Sequence, residues 1–321
     1  MFVPFVSKVS TKRVWYKRKG GRGGGGGGRG GNSGSRGGST SSGSRGGSTG
    51  SSSNGARPPV SIGSGASTGG RTSARPYGNG GGTVKTIPSG QPFAGRTQGG
   101  ATRNGIYGSR TYGSGYPGVQ FRGVSGLNFP FYFWPVVWGS AAGGGAAYLH
   151  DSEYGGPNNS PRPGGSLTTV PMLPSSGNTT LHIIADNATT ASLLSSVATN
   201  CSSYLASNAS NSTILSFDPT NSSMLKPEQA VQYYRASSIV LTLDGYNDAV
   251  ALNRSATLND TDTPLPSWIN SQMVGCVNQT IGAAAPLIDD ETTSASARPG
   301  PHGASGLGLL WLMILLLKAL L

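Results

Sequence analysis

The sequence predicts a mostly disordered N-terminal half, one small α/β (α+β) domain with element order β-α-α-β-α, and a C-terminal hydrophobic helix. Three observations carry this expectation. Gly supplies 53 of the 321 residues and charged residues only 11%. Most of that glycine lies before residue 150, where few apolar side chains offset the entropy of ordering a chain. Charge divides at the same place: residues 1–150 hold 18 Lys and Arg and no acidic residue, while residues 151–321 hold the other 6 basic and all 12 acidic residues, a net of −6. Regular apolar periodicity, the third observation, begins only near residue 181.

Residues 1–19 form a basic N-terminal segment. Its apolar stretch, Met1 to Val6, is broken by Pro4 and falls short of the roughly 7–15 apolar residues of a secretory signal. Residues 20–126 are a low-complexity, Gly/Ser/Arg-rich region with Arg-Gly-Gly units at Arg22, Arg29, Arg36 and Arg45. Its composition predicts a disordered, solvated coil, and the four arginines are candidate contacts for a polyanion: acidic polysaccharide, an anionic membrane surface or nucleic acid. Residues 127–150 change texture, with the aromatic run LNFPFYFWPVVW followed by small residues. Two prolines and a length near a dozen argue against a membrane span, which needs about 20 residues. The run reads either as a strand or staple docked on the folded part, or as a self-association segment.

Residues 151–180 read as a Pro/Gly/Ser/Thr-rich linker, and residues 181–290 as the small domain. Leu181 to Ala185 suggests a strand, and residues 188–206 a helix with Asn187 as its N-cap. Pro227 is placed to open a short helix, PEQAVQYYR. Ser238 to Leu243 is an apolar run that reads as a buried strand. Pro266 then opens a helix with Ile269, Met273, Cys276, Val277 and Ile281 on one face. Both cysteines, Cys201 and Cys276, fall on apolar faces of their helices. A disulfide between them would close a loop of about 75 residues and stabilise by about 4–5 kcal/mol on the chain-entropy model; the alternative is two buried thiols.

Asn-x-Ser/Thr sequons stand at Asn158, Asn178, Asn187, Asn200, Asn208, Asn211, Asn221, Asn253, Asn259 and Asn278. Residues 151–290 contain 13 Asn, with 35 Ser or Thr among 140 residues, so chance would place about three in sequons. Residues 1–150 contain none, although five Asn are present there. Pro161 hinders the site at Asn158, and Cys201 crowds the one at Asn200. Residues 291–306 form the spacer segment, in which the small triplet Ser294-Ala295-Ser296 precedes a polar stretch from Ala297 to Gly306, and Leu307 to Leu321 is an apolar tail interrupted by Lys318. Small residue, spacer and tail match a glycosylphosphatidylinositol (GPI) signal with Ser294 as attachment candidate; the alternative is a tail-anchored helix. His150, His182 and His302 are scattered, and no nucleophile elbow, phosphate loop or zinc spacing occurs. The sequence thus predicts no enzyme, no catalytic residue, no cofactor and no metal.

The strings FPFYFWPVVWG (129–139), AAYLHDSEYGGPNNSPRPGG (146–165), LHIIADN (181–187), PEQAVQYYRASSIVLTLDGYN (227–247) and CVNQTIGAAAPLID (276–289) resemble an uncharacterised family of glycine- and serine-rich predicted secreted glycoproteins of mushroom-forming (basidiomycete) fungi. The resemblance covers about residues 129–290; the arm matches in composition only. It implies a secreted or wall-associated context and brings no catalytic residues. Members begin with a signal peptide, from which residues 1–19 depart. The expectation is a non-enzymatic, N-glycosylated, membrane- or GPI-anchored protein of the cell surface or cell wall; the alternative is an RGG-type RNA-binding protein.

Overall fold

A computed structural model describes residues 57–63, 66–119, 121–139, 147–149, 152–221, 225–253 and 260–290. The expectations for residues 1–56 and 291–321, including the four RGG arginines, Ser294 and the apolar tail, lie outside the described residues, as do His150, Asn259 and His302. The chain runs through β1 (Val60–Ser61), β2 (Ser73–Ala74), β3 (Lys85–Thr86), β4 (Thr97–Gln98), β5 (Leu167–Met172), β6 (Leu181–Asp186), α1 (Asn187–Asn200), β7 (Leu215–Ser216), β8 (Ala230–Tyr234), β9 (Ile239–Leu243), α2 (Ala249–Leu252) and α3 (Ser271–Ala284). Strands outnumber helices, and among the described residues no helix is long and apolar enough to cross a membrane.

The centre is a five-stranded antiparallel sheet in the order β7-β5-β6-β9-β8. Val170, Ile183 and Leu241 align across β5, β6 and β9, and all five residues of β9 are buried. A middle strand covered on both faces reads as an apolar run rather than an alternation, which is why IVLTL was legible. Successive side chains on β8 point to opposite faces. The Tyr234 hydroxyl donates to Asn278 Oδ1 of α3 at 2.7 Å, while the Tyr233 hydroxyl accepts from Trp138 Nε1 at 3.1 Å. Helices therefore cover one face and the aromatic segment the other.

Four elements depart from the expected type, place or bounds. PEQAVQYYR is not a helix: residues 227–229 make one 3-10 turn and β8 follows. Val231, Tyr233 and Tyr234 are β-branched or aromatic, and packing on a half-buried pleated surface overrides the weak helical pattern. The predicted linker contains β5, in which Pro171 sits opposite His182. Phe217 N–H donates to Leu167 C=O, so odd-numbered residues of β5 turn their amides toward β7. That strand pairs only with Thr168 and Thr169, so the missing N–H of Pro171 falls where no partner strand needs it. The two long helices also start and stop differently. Asp186, not Asn187, caps α1, its Oδ1 accepting from Thr189 N–H at 2.9 Å, and α1 ends at Asn200 rather than 206. The second begins at Ser271 under an Asn270 cap, five residues after Pro266.

The largest difference concerns residues 57–119, where composition predicts coil. They pack onto the domain through sparse anchors, Ile62, Ile87, Ile106 and Tyr112, all buried. Their backbone pairs with the outer edge of β8: Gly108 N–H donates to Tyr233 C=O, Tyr233 N–H to Ser109 C=O, and Arg235 N–H to Ile106 C=O, at 2.7–2.9 Å. A further antiparallel bridge joins Arg75 to Leu287. Glycine has a definite role at Gly113, with φ of +89°, where a Cβ would lie 2.0 Å from the Gly123 carbonyl oxygen. Residues 129–139 form the aromatic cover itself. Phe129, Phe133, Trp134 and Trp138 are all buried, and Phe93 packs edge-on against Trp134 with centroids 4.8 Å apart.

Candidate functional site

Arg235 organises the interior. It starts the β8–β9 turn, where Arg235, Ala236 and Ser237 all adopt left-handed φ of +49°, +49° and +59°. Its side chain is fully buried. The guanidinium donates to Ser238 Oγ at 2.8 Å, Thr189 Oγ1 at 3.0 Å, the Pro286 carbonyl at 2.9 Å and Asp186 Oδ2 at 2.6 Å. It also lies 3.4 Å from the centroid of the Phe133 ring. Burial pulls its pKa down to about 10 against the opposing charge of Asp186; it stays cationic at neutral pH. With its donors paired and no opening to solvent, this cluster joins layers and offers nothing to a ligand.

Arg162, also buried, donates to the Trp134 and Pro135 carbonyls and lies over the Trp134 ring. Arg103 reaches the carbonyls of Gly282 and Ala285 at 2.9 and 2.7 Å. A cation there complements the C-terminal end of the α3 dipole and pins the basic half to that helix. Arg103, which charge counting assigns to a solvated arm, is spent inside the fold. No local signal distinguishes it, because the two α3 carbonyls it reaches lie 179 and 182 residues away in sequence.

Cys201 and Cys276 form a disulfide joining the end of α1 to the middle of α3, with Cα atoms 5.9 Å apart. Of the sequon asparagines, Asn158, Asn178, Asn187, Asn200, Asn208, Asn211, Asn221 and Asn253 are exposed. Asn278 is half-buried and held by Tyr234. Exposure of these eight places them at the surface without opening the core, although Asn200 Nδ2 donates to the Tyr77 hydroxyl at 3.1 Å. Asn79, Asn104 and Asn128, in the basic part, are equally exposed but stand outside any sequon. The sequons are thus confined to the acidic part of the chain.

His182, on β6, pairs its Nε2 with Asp244 Oδ2 at 3.2 Å. Among the described residues no serine or cysteine side chain hydrogen-bonds to this pair, and no group of three or more His, Cys, Asp or Glu could hold a metal ion. Exposed cations gather instead on the basic part. Arg75 is exposed, and its side chain makes no hydrogen bond or ion pair among the described residues; Lys85 nearby donates to the Gly69 carbonyl at 3.4 Å. Arg71, Thr72, Ser73 and Arg75 line a shallow notch of about 230 Å³ against Leu287, Ile288 and Asp289. No family model, curated protein or solved structure matches the chain.

Proposed function

We propose that this chain is a non-enzymatic, N-glycosylated protein of the cell surface or cell wall, attached to the membrane through its C-terminal segment, with a cationic arm for polyanion contact. The observation that carries the reading is the placement of the sequons: ten occur, all in the acidic part, and eight of the nine described ones present an exposed asparagine. A disulfide between two helices supports an oxidising compartment. Glycans around the acidic part would keep a thin, loop-rich domain soluble and shield it from proteases. The arm, which carries no acid to neutralise its arginines, would contact neighbouring acidic polymers by screened electrostatics. The tail of residues 307–321 serves as a GPI signal with Ser294 as attachment point, or as the anchor itself.

Treatment of the native protein with peptide-N-glycosidase is expected to increase its gel mobility by several glycan steps. Substituting Asn208→Gln removes one step, whereas Asn278→Gln removes none, because Asn278 is half-buried on α3, with its Oδ1 held by the Tyr234 hydroxyl. An unchanged mobility after glycosidase sinks the secretory reading. Release from intact cells by phosphatidylinositol-specific phospholipase assigns the anchor to GPI, and retention with glycans present assigns it to a membrane helix. The four RGG units favour one competing reading, an RNA-binding protein; salt-sensitive retention on RNA but not on acidic glycan would select it.

A further inference from the structure

The notch beside β2 presents donors and acceptors in an arrangement that a bare anion does not need. Ser73 and Arg75 flank Ala74 at β2, so their side chains leave the same face, and Arg71 and Thr72 just before the strand complete that side of the lining. Ala74 between them is buried, which fixes the direction of its neighbours. The opposite wall is Leu287–Asp289, pinned by two Arg75–Leu287 backbone bonds and by Gly82 N–H to the Ile288 carbonyl. Asp289 Oδ1 accepts from Gly80 N–H at 2.8 Å, which fixes the carboxylate in place as an acceptor at the edge of the notch. The walls are therefore set by main-chain bonds and are formed before any ligand arrives.

We propose that this notch binds a carboxylate-bearing sugar, a uronic-acid unit of an acidic polysaccharide. Arg75 takes the sugar carboxylate as a charge-assisted fork, and Arg71, whose Nε and Nη2 are buried, adds positive charge to the wall. Thr72 and Ser73 offer hydroxyls, and Asp289 accepts from sugar hydroxyl groups. That last residue separates the candidates: a fixed carboxylate repels inorganic sulfate or phosphate but bonds to a polyol. The volume suits one sugar unit rather than a larger molecule. Lys85, exposed beside Gly69, meets the next charge along the polymer. The site extends the polyanion contact proposed above to a folded surface and stands without it, since none of its residues belongs to the RGG units.

The test is titration calorimetry of the full chain with tetragalacturonate at low salt, alongside thermal melts. Arg75→Ala is expected to weaken binding about tenfold with an unchanged melting temperature, and Lys85→Ala to weaken the tetramer while leaving monomeric galacturonate unaffected. Asp289→Asn keeps an oxygen for Gly80 N–H; it is expected to weaken tetragalacturonate and strengthen inorganic sulfate. Wild-type affinity in Arg75→Ala overturns the proposal, as does an Asp289→Asn variant that binds both ligands more tightly, which marks a plain anion site. Displacement of tetragalacturonate by polyuridylate at equal charge assigns the notch to nucleic acid instead. A chain with Arg22, Arg29, Arg36 and Arg45 all changed to alanine is expected to bind tetragalacturonate as wild type. If it loses binding while Arg75→Ala keeps it, the notch proposal falls and the arm reading stands.

Discussion

At the scale of single residues, the fold depends on a few long-range polar contacts more than on any local motif. Arg235 contacts five residues, Asp186, Thr189, Ser238, Pro286 and Phe133, and its removal would leave Asp186 as a buried charge without its counter-ion. Arg235→Met is therefore expected to lower unfolding stability by about 3–5 kcal/mol, and adding Asp186→Asn to recover part of it, as read by urea titration of both variants. Glu153 shows the pH consequence of a smaller pair. Burial raises its pKa, but the hydrogen bonds from Arg96 and from Gly126 N–H outweigh it, and the net shift is below the ordinary 4.5. A depressed carboxylate stabilises the fold above its unfolded pKa and loses that contribution as pH falls through the folded value. Glu153→Gln should thus lower stability by about 1 kcal/mol at pH 7, with the difference from wild type vanishing once the pH drops below the depressed pKa. Thermal melts between pH 7 and 3 measure this.

At the scale of elements, legibility followed how local the determining forces are. The strand at Leu181 and the strand at Ile239 were readable because a doubly covered strand needs unbroken apolar sequence. Helix α1 was readable from Leu193, Leu194 and Val197, and the disulfide from the apolar faces of two helices. β8 was not: its aromatic residues fit a helix turn as well as a pleat, and only pairing with β9 decides. β5 was hidden by Pro171, tolerated because β7 stops short of it. The left-handed turn of Arg235, Ala236 and Ser237 contains no glycine to announce it, so β8 and β9 did not read as a hairpin. Breaking the disulfide tests the element that the sequence did suggest. Cys201→Ser with Cys276→Ser is expected to lower stability by about 2–5 kcal/mol, measured by denaturant titration of the double variant against wild type.

At the scale of the whole molecule, the basic sequence does two jobs that composition cannot separate. Glycine content predicts coil wherever anchors are few, yet four or five apolar side chains and a strand edge in need of partners suffice to order residues 57–119. Of the candidate site, the sequons were fully legible, whereas the notch was not, because Arg71 and Arg75 meet Asp289 only after the chain has closed over more than 200 residues. A chain beginning at residue 57 is expected to melt within about 2 °C of the full one, while a chain beginning at residue 127 uncovers the β8 edge and aggregates, as followed by melting and light scattering. The Cys201–Cys276 bond encloses β7, β8 and β9 together with the loops that carry Asn208, Asn211, Asn221 and Asn253. A protease that nicks those loops where a glycan is absent would produce two pieces that migrate as one band until a reductant is added. Comparing reduced and unreduced gels of the protein from its native source therefore reads out, without any ligand, which loops the glycans leave open.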